Sequence, residues 1–256
     1  MKPPELECAQ ALKPNPNWAL FLDVDGTILH FADTPNGVAP STRVCRVLRR
    51  LTASLGGAVA LISGRTIENL DRLFAPLRLP AAGLHGLERR DAGGAHHVLG
   101  EIQALEHLRP PFAHLAASRK GVMLEDKGRA LAVHYRMAPD EAAAIRHEVE
   151  TLVRPSVRDL RIIHGNMVSE VKPRHADKGS AIHAFMREAP FMGRVPAFVG
   201  DDVTDEDGFA AVNALDGHAV HVGARAGTVA RYRLADVDHV ITWLEGLPSE
   251  VRSSDR

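Results

Sequence analysis

The residues most able to do chemistry begin with two aspartates near the start of the chain. Asp23 and Asp25 are two residues apart directly after the apolar run 18–22, so in an extended backbone both side chains point the same way. Carboxylates that close together repel each other, and one takes a proton unless a cation holds both. The alternative is a plain turn at the end of a strand, for which Asp-Gly-Thr at residues 25–27 is equally suitable.

A second acidic segment follows the apolar run 195–199. Five carboxylates lie within the seven residues 201–207: Asp201, Asp202, Asp205, Glu206 and Asp207. A solvated loop is the simpler interpretation. In an open parallel sheet, however, the carboxyl ends of the strands converge on one crevice, and Asp23, Asp25 and Asp201 would then face one point. Mg²⁺ suits such a site because it accepts a few carboxylate or carbonyl oxygens and keeps waters and a phosphate oxygen.

Two further polar residues stand where helices are expected to begin. Ser63 follows the apolar run 58–62, and its hydroxyl with nearby backbone N–H groups could bind an anion. Lys178 precedes a helical pattern, where a cation opposes the helix dipole and therefore needs an anionic partner. A simple helix cap and a surface lysine are the alternatives. Together with the two acidic segments, these residues predict a site for a phosphate and a cation.

The elements that must position these residues have the pattern of an α/β protein. The three apolar runs do not alternate with polar residues, which is typical of strands covered on both faces in a parallel sheet. Ser41 is suited to cap a helix in which Val44, Leu48 and Leu51 recur at helical spacing. We therefore predict a Rossmann-like, doubly wound core formed by residues 1–80 and 173–256.

The stretch between these two parts has a different pattern. Segments 87–90 with 97–99, and 122–125 with 130–135, flank turn sequences as hairpin strands do. Residues 81–172 are therefore predicted to form an inserted α+β cap domain.

Alternation within this insert predicts a polar sheet face. Leu131, Val133 and Tyr135 fall on one side of a strand, and His134 and Arg136 on the other. By the same spacing Glu125 shares a face with Lys127, and Glu170 shares one with Lys172. Such a face could recognise a polar ligand, or it could simply be solvated.

Composition excludes several classes of function. The chain has 256 residues, with 31 Lys and Arg against 32 Asp and Glu, so it lacks the cationic field that nucleic-acid binding requires. No apolar run approaches the length of a membrane helix, and the first residues lack the apolar stretch of a signal peptide. We expect a cytoplasmic protein that binds neither nucleic acid nor membrane. Cys8 and Cys45 are predicted to be reduced thiols.

Four motifs in order resemble those of the haloacid dehalogenase-like phosphatases: FLDVDGT at 21–27, ISGR at 62–65, KG at 178–179 and VGDDVTDE at 199–206. The resemblance implies a two-step phosphoryl transfer through an aspartyl-phosphate. On this basis Asp23 is the nucleophile, and Asp25 protonates the leaving sugar oxygen and later takes a proton from water.

The same resemblance implies the remaining roles in the core. Mg²⁺ would be held by Asp23, the backbone carbonyl of Asp25 and Asp201. Ser63 and Lys178 would hold the phosphate oxygens. Asp202 and Asp205 would support Asp201 and its waters.

Further stretches resemble the trehalose-6-phosphate phosphatases: GLHGLERR at 83–90, EDKG at 125–128, HYR at 134–136, EVKP at 170–173 and DKG at 177–179. By that likeness Glu125, Lys127 and Glu170 would bind hydroxyls of the distal glucose. The other implied substrate contacts are Arg65, His85, His134, Arg136 and Lys172.

The hypothesis from the sequence is therefore a Mg²⁺-dependent phosphatase that converts trehalose 6-phosphate to trehalose and phosphate, the final step of trehalose biosynthesis. One alternative is a phosphatase for another sugar phosphate, such as sucrose phosphate or mannosyl-glycerate phosphate. Another is a non-catalytic sensor of sugar phosphates, against which the presence of both Asp23 and Asp25 argues. Association with trehalose-6-phosphate synthase is a further hypothesis, and a monomer is favoured.

Overall fold

The computed structural model describes residues 7–9, 12, 15–30, 39–98, 103–165, 167–174 and 176–246. It divides into two compact units. Unit 1 comprises Met1–His97 and Asp177–Arg256, and unit 2 comprises Val98–Ala176.

The described secondary structure alternates strands and helices along most of the chain. In chain order the strands are β1 (Glu7–Cys8), β2 (Trp18–Leu22), β3 (Val59–Ile62), β4 (Ala81–Gly83), β5 (Glu88–Arg90), β6 (His96–Val98), β7 (Met123–Asp126), β8 (Leu131–His134), β9 (Leu160–Gly165), β10 (Val168–Pro173), β11 (Val195–Gly200), β12 (His218–Val222) and β13 (Tyr232–Leu234). The helices are α1 (Thr42–Ser54), α2 (Ile67–Phe74), α3 (Gln103–Glu106), α4 (Arg109–Ala117), α5 (Ala142–Val153), α6 (Lys178–Phe185), α7 (Glu206–Ala214) and α8 (Val237–Glu245).

Unit 1 is built on one sheet with strand order β1-β13-β12-β11-β2-β3-β4-β5-β6. Across the sheet, the seven strands β1, β13, β12, β11, β2, β3 and β4 are each parallel to their neighbours. Strand β5 pairs antiparallel with β4. From β2 the chain moves to β3 on one side and returns much later to β11 on the other. Such a reversal of strand order is where open α/β sheets form their ligand crevice. The predicted doubly wound parallel core is confirmed.

The central strands β2 and β3 of this sheet are buried, because apolar residues cover both of their faces. Every residue of β2 and of β3 is buried. The rings of Phe21, Phe185 and Phe191 lie within 5.9 Å of one another, centroid to centroid. Each such aromatic pair contributes about 0.5–1.5 kcal/mol beyond burial of its area. These contacts fix α6 against β2 and so set where Lys178 lies relative to Asp23.

Helix starts in unit 1 are set by side-chain caps. Ser41 Oγ accepts a hydrogen bond from Val44 N at 3.3 Å at the start of α1, as predicted. Asp177 caps α6 by accepting from Ser180 N at 2.7 Å. Among the described residues, no helix has both the length and the apolar character needed to cross a bilayer.

Unit 2 has a four-stranded antiparallel sheet with order β7-β8-β10-β9. The predicted hairpin of β7 and β8 is confirmed. Leu131, Val133 and Tyr135 are fully buried, and they belong to the same apolar cluster as Phe112 of α4 and Ile145 of α5. The predicted alternation is therefore correct, with one sheet face covered by helices and the other polar.

The extent of unit 2 differs from the predicted insert of residues 81–172. Strands β4, β5 and β6 extend the sheet of unit 1. Arg90 makes a bidentate ion pair with Asp71 of α2 at 2.6 and 2.7 Å, and Arg89 makes one with Glu188 at 2.7 and 2.8 Å, both within unit 1. A hairpin pattern predicts two paired strands but does not specify which sheet they join.

Candidate active site

The first acidic segment lies at the carboxyl end of β2, beside β11. Asp23 N donates to Val199 O at 2.9 Å, which holds the strand ends in register. The chain then turns at Gly26, whose φ of 84° suits glycine, and Gly26 N donates to Leu29 O. This turn returns Thr27 to the crevice, where its Oγ1 lies 3.1 Å from Asp23 Oδ2 and 3.2 Å from Asp201 Oδ1. The structure therefore brings Asp23 and Asp201 together.

Lys178 completes this cluster from the first residue of α6. Its Nζ donates to Asp23 Oδ1 at 2.7 Å and to Asp205 Oδ1 at 2.6 Å, with all three side chains almost fully buried. The anionic partner that the sequence requires for Lys178 is thus a pair of carboxylates.

Asp205 shapes the loop that carries Asp201. Its Oδ2 accepts from Asp201 N at 2.9 Å and from Asp202 N at 2.8 Å. The Asp202 side chain is exposed, so these two acidic residues lie in different environments although they are three positions apart.

The carboxylates of this cluster lie close enough together to hold a cation. Burial raises the pKa of Asp23 well above its usual range; Lys178 lowers it, while Asp205 and Asp201 raise it further. Burial, together with the charge of Asp205, raises the pKa of Asp201 to about 7. Carboxylate oxygens of Asp23, Asp201 and Asp205 lie within 4.8 Å of one another. Three carboxylates around one ammonium fit a hard cation with oxygen ligands.

The Asp25 carboxylate does not belong to this cluster. Both of its oxygens accept from Arg65, at 2.7 Å from Nε and 2.6 Å from Nη2. Arg65, which the family resemblance implies as a substrate contact, is paired with Asp25 in the structure. A metal contact through the backbone carbonyl of Asp25 remains a prediction.

Ser63 lies at the end of β3, where the chain turns toward α2. Its Oγ accepts from Arg65 N at 3.1 Å, and its carbonyl accepts from His85 N at 2.9 Å. Thr66, rather than Ser63, caps α2 by accepting from Asn69 N.

His85 has an unusual backbone conformation next to Ser63. Its φ is 54°, a left-handed value rare for residues other than glycine. A Cβ at Gly64 would lie 2.6 Å from His85 Nε2, so the ring lies against the bare backbone of Gly64. Glu88, in the same motif, accepts from Ile67 N at 2.6 Å at the start of α2. Within the 83–90 motif, His85 and Glu88 thus make these contacts inside unit 1.

The polar face of unit 2 displays the predicted acidic and basic residues in register. Glu125 and Glu170 both lie opposite Ala132, one on either side of β8. Cross-strand partners point to the same face, so the small alanine separates two glutamates. Lys127 Nζ donates to Glu170 Oε2 at 2.6 Å, and His134 Nε2 lies 2.8 Å from Glu125 Oε2.

Neighbouring basic side chains on this face favour the charged form of Glu125. The hydrogen bond from His134 lowers the pKa of Glu125 against the opposing effect of burial, and Lys127 lowers it further. Lys172 Nζ donates to the carbonyl of Ala176 at 2.8 Å, within the same unit. Arg136 is exposed just beyond the end of β8.

Comparison with known proteins identifies the family. A model of the family described as trehalose-phosphatase matches residues 21–238. The chain belongs to the trehalose-phosphatase family. It is 45% identical to a probable trehalose-phosphate phosphatase of Sinorhizobium fredii over 207 residues, which cover 81% of this chain and 78% of that protein. It is 42% identical to trehalose-6-phosphate phosphatase of Escherichia coli over 229 residues, 89% of this chain and 85% of the relative.

Solved structures agree with this assignment at the level of fold. The C-terminal domain of trehalose-6-phosphate phosphatase from Candida albicans superposes with a TM-score of 0.84 at 21% identity, covering 94% of this chain and 97% of that one. A structure of the Aspergillus fumigatus trehalose-6-phosphate phosphatase has a TM-score of 0.62 at 28% identity, covering 88% and 90%. The predicted haloacid dehalogenase-like fold is confirmed, and the chain is a phosphoric monoester hydrolase.

Two polar residues at the site of this trehalose-phosphatase family member, Thr27 and Asn69, are not among the residues that the sequence predicts for it. In the sequence Thr27 fits a turn, although a hydroxyl four positions after Asp23 in a tight turn is a usable signal. Asn69 Oδ1 accepts from Arg65 Nη1 at 2.9 Å. Nothing in the sequence pattern distinguishes this asparagine from other polar residues on α2.

Proposed function

We propose that this enzyme hydrolyses trehalose 6-phosphate to trehalose and phosphate, using Mg²⁺ and an aspartyl-phosphate on Asp23. The observation that carries the proposal is the cluster of Asp23, Asp201, Asp205 and Lys178 in a chain 42% and 45% identical to two trehalose-phosphate phosphatases.

Asp23 is suited to act as the nucleophile. Lys178 and Thr27 each bind one of its oxygens, so the carboxylate is held in one orientation before substrate arrives. Such fixed placement removes part of the entropic cost of reaction. In the first step an Asp23 oxygen bonds to phosphorus while the bond from phosphorus to the sugar oxygen breaks.

Asp25 is the group proposed to move protons. It donates a proton to the departing sugar oxygen, which is a poor leaving group as an alkoxide, and this assistance contributes roughly 10²–10⁴-fold. In the second step Asp25 takes a proton from the water that attacks the phosphoryl group on Asp23. Water then supplies the new oxygen of phosphate, and the Asp23 carboxylate is restored.

The proposed metal site consists of Asp23, Asp201 and the backbone carbonyl of Asp25. Mg²⁺ bound there would offset the repulsion between an anionic nucleophile and an anionic phosphate. Asp205 holds the backbone of Asp201 and Asp202 in place. Ser63 and Lys178 are proposed to bind the transferring phosphate oxygens.

The polar face of unit 2 is proposed to recognise sugar hydroxyls. Glu125, Lys127 and Glu170 combine charged donors and acceptors on one sheet face, and charge-assisted hydrogen bonds are stronger than neutral ones. Of the other proposed sugar contacts, His134, Arg136 and Lys172 belong to unit 2, and Arg65 and His85 belong to unit 1.

A substrate panel tests the specificity. Trehalose 6-phosphate, sucrose phosphate, mannosyl-glycerate phosphate and glucose 6-phosphate are compared at equal concentration with Mg²⁺ by phosphate release. We expect the highest kcat/KM for trehalose 6-phosphate. Preference for another member would refute the specificity, and binding without turnover would favour a sensor.

Chelation and one substitution test the mechanism. EDTA and Asp23→Asn should each abolish phosphate release, with activity restored by excess Mg²⁺ only in the first case. Asp216→Asn is the matched control, since Asp216 is exposed and its left-handed backbone also suits asparagine. Full activity of the Asp23 variant would refute the covalent mechanism.

A further inference from the structure

Arg65 joins Asp25 to a residue on α2 that has no assigned role. Its guanidinium group donates hydrogen bonds to both residues. Nε and Nη2 form a parallel fork on the two oxygens of Asp25 at 2.7 and 2.6 Å, and Nη1 donates to Asn69 Oδ1 at 2.9 Å. Because Asn69 uses a donor that Asp25 does not need, it supports the fork without competing for it.

Asn69 itself is firmly placed. It lies in the first turn of α2, where its backbone N donates to Thr66 Oγ1 at 3.1 Å. The backbone of Arg65 is held as well: its N donates to Ser63 Oγ and its O accepts from Leu84 N. The side chains of Arg65 and Asp25 are 12% and 28% exposed, so water has restricted access to the pair. The flexible arginine side chain is therefore fixed at its base by the backbone and at its tip by Asn69.

We propose that Asn69 is a positioning residue which, through Arg65, fixes the orientation of the Asp25 carboxyl group for proton transfer to the leaving group. The inference rests on the proposed role of Asp25. A planar fork fixes both the position and the plane of the carboxyl group. Each carboxyl oxygen keeps a second lone pair outside the fork, where the transferred proton can reside.

The proposal predicts that the activity lost on removing Asn69 depends on how basic the leaving group is. A basic leaving oxygen, such as that of a sugar or of phenolate, needs a proton as its bond to phosphorus breaks, whereas the weakly basic 4-nitrophenolate does not. When Asn69 is lost, the guanidinium can rotate and the Asp25 carboxyl group with it. Misplacement of a catalytic group by about 1 Å costs up to about 10²-fold. That loss should appear only with basic leaving groups.

The experiment compares kcat/KM for 4-nitrophenyl phosphate and phenyl phosphate in the Mg²⁺-loaded enzyme. Neither substrate carries sugar hydroxyls, so altered sugar recognition does not enter the comparison. kcat/KM reports the step that expels the leaving group and excludes the later hydrolysis of the aspartyl-phosphate. Asn69→Ala should lose about tenfold or more with phenyl phosphate and less than about threefold with 4-nitrophenyl phosphate.

Three further variants interpret the result. Asn69→Asp keeps the Oδ acceptor and should retain the wild-type ratio of the two substrates. Glu68→Ala alters the neighbouring, exposed position of the same helix turn and should also behave as wild type. Asp25→Asn removes the proton donor and should show the largest difference between the two substrates. Thermal melting verifies that each variant is folded.

The outcomes separate the inference from the proposed function. If Asn69→Ala loses activity equally on both substrates, or if Asn69→Asp fails to rescue it, the positioning role is wrong. If Asp25→Asn shows the leaving-group dependence and Asn69→Ala does not, only the inference fails. Equal losses of Asp25→Asn on both substrates would overturn the proton-transfer role of Asp25 and the inference together.

Discussion

The ammonium of Lys178 lies 2.7 Å from Oδ1 of Asp23, and these side chains are only 3% and 6% exposed. Burial alone would lower the pKa of Lys178, but Asp205 and Asp23 raise it above the usual lysine value. The buried ammonium of Lys178 therefore compensates the charges of two carboxylates: Asp23, the proposed nucleophile, and Asp205, which holds the Asp201 loop. The pKa values of Lys178 and Asp23 are each shifted by the charge of the other and by that of Asp205.

Lys178→Met should be strongly destabilising. Removing one partner of a buried ion pair leaves uncompensated charge and typically costs about 3–5 kcal/mol. We expect a loss of that order in the free energy of unfolding at pH 8 without divalent cation, measured by urea denaturation, together with loss of phosphate release. Lys120→Met, at an exposed lysine, should change stability by less than about 0.5 kcal/mol. Equal stability of the two variants would show that the buried pair contributes nothing.

Asp205→Asn should weaken Mg²⁺ binding while leaving the chain folded. The asparagine amide cannot accept from Lys178 and from two backbone N–H groups as the carboxylate does. Loss of a group that orients a metal ligand typically costs 10–100-fold in metal affinity. The measurement is calorimetric titration with Mg²⁺, with Asp216→Asn as the control. An unchanged Mg²⁺ affinity would contradict the orienting role of Asp205.

The raised pKa of Asp201 predicts how stability depends on pH without metal. An unfolded aspartate loses its proton near pH 4, whereas burial raises the pKa of Asp201 to about 7 in the folded chain. Between these values the folded state holds the extra proton, so the contribution of Asp201 to stability falls as pH rises. In EDTA, Asp201→Asn should therefore gain in Tm over the wild type between pH 5 and pH 8.

The wild type must be compared with the Asp201 variant because two histidines give the stability of the chain the opposite pH dependence. Burial lowers the pKa of His218 and His221, so their contribution falls as the pH drops. Both proteins share that contribution, and the difference between their Tm values removes it. Mg²⁺ at pH 8 should raise the Tm of the wild type more than that of the variant. A pH-independent difference would show that Asp201 does not titrate in this range.

Glu170→Gln should impair sugar recognition without impairing phosphoryl transfer. Glu170 accepts from Lys127 on the polar face of unit 2, and replacing a charged hydrogen-bond partner costs about 1.5–3 kcal/mol. We expect kcat/KM for trehalose 6-phosphate to fall about tenfold or more and kcat/KM for 4-nitrophenyl phosphate to stay within about twofold. Asp140→Asn, at an exposed position of the same unit, is the control. A loss shared by both substrates would contradict a sugar-binding role.

Much of this architecture was predictable because burial leaves a clear pattern. Strands β2, β3 and β11 lie between helices, so their residues are apolar without alternation, and the polar residues that follow mark their carboxyl ends. The polar face of β8 was predictable because side chains alternate along a strand. The family motifs supplied candidate roles for Asp23, Asp25 and Asp201.

Contacts between distant segments were not predictable in the same way. Asp25 and Arg65 are 40 residues apart, and no periodicity relates a loop after β2 to one after β3. The hairpin of β5 and β6 is recognisable in the sequence, but its membership of the sheet of unit 1 follows from the pairing of β5 with β4 and is accompanied by long-range ion pairs such as that of Arg90 with Asp71.

The sequence by itself determined which residues carry charge at the ends of apolar strands, because local pattern and covalent spacing suffice for that. Only the tertiary structure decided which of those charges are buried. Asp202 and Asp205 belong to one acidic run, yet the short 3₁₀ turn Val203–Asp205 leaves Asp202 exposed and places Asp205 against Lys178. The physical reason is that a buried carboxylate requires a compensating partner, and that partner comes from a helix elsewhere in the chain.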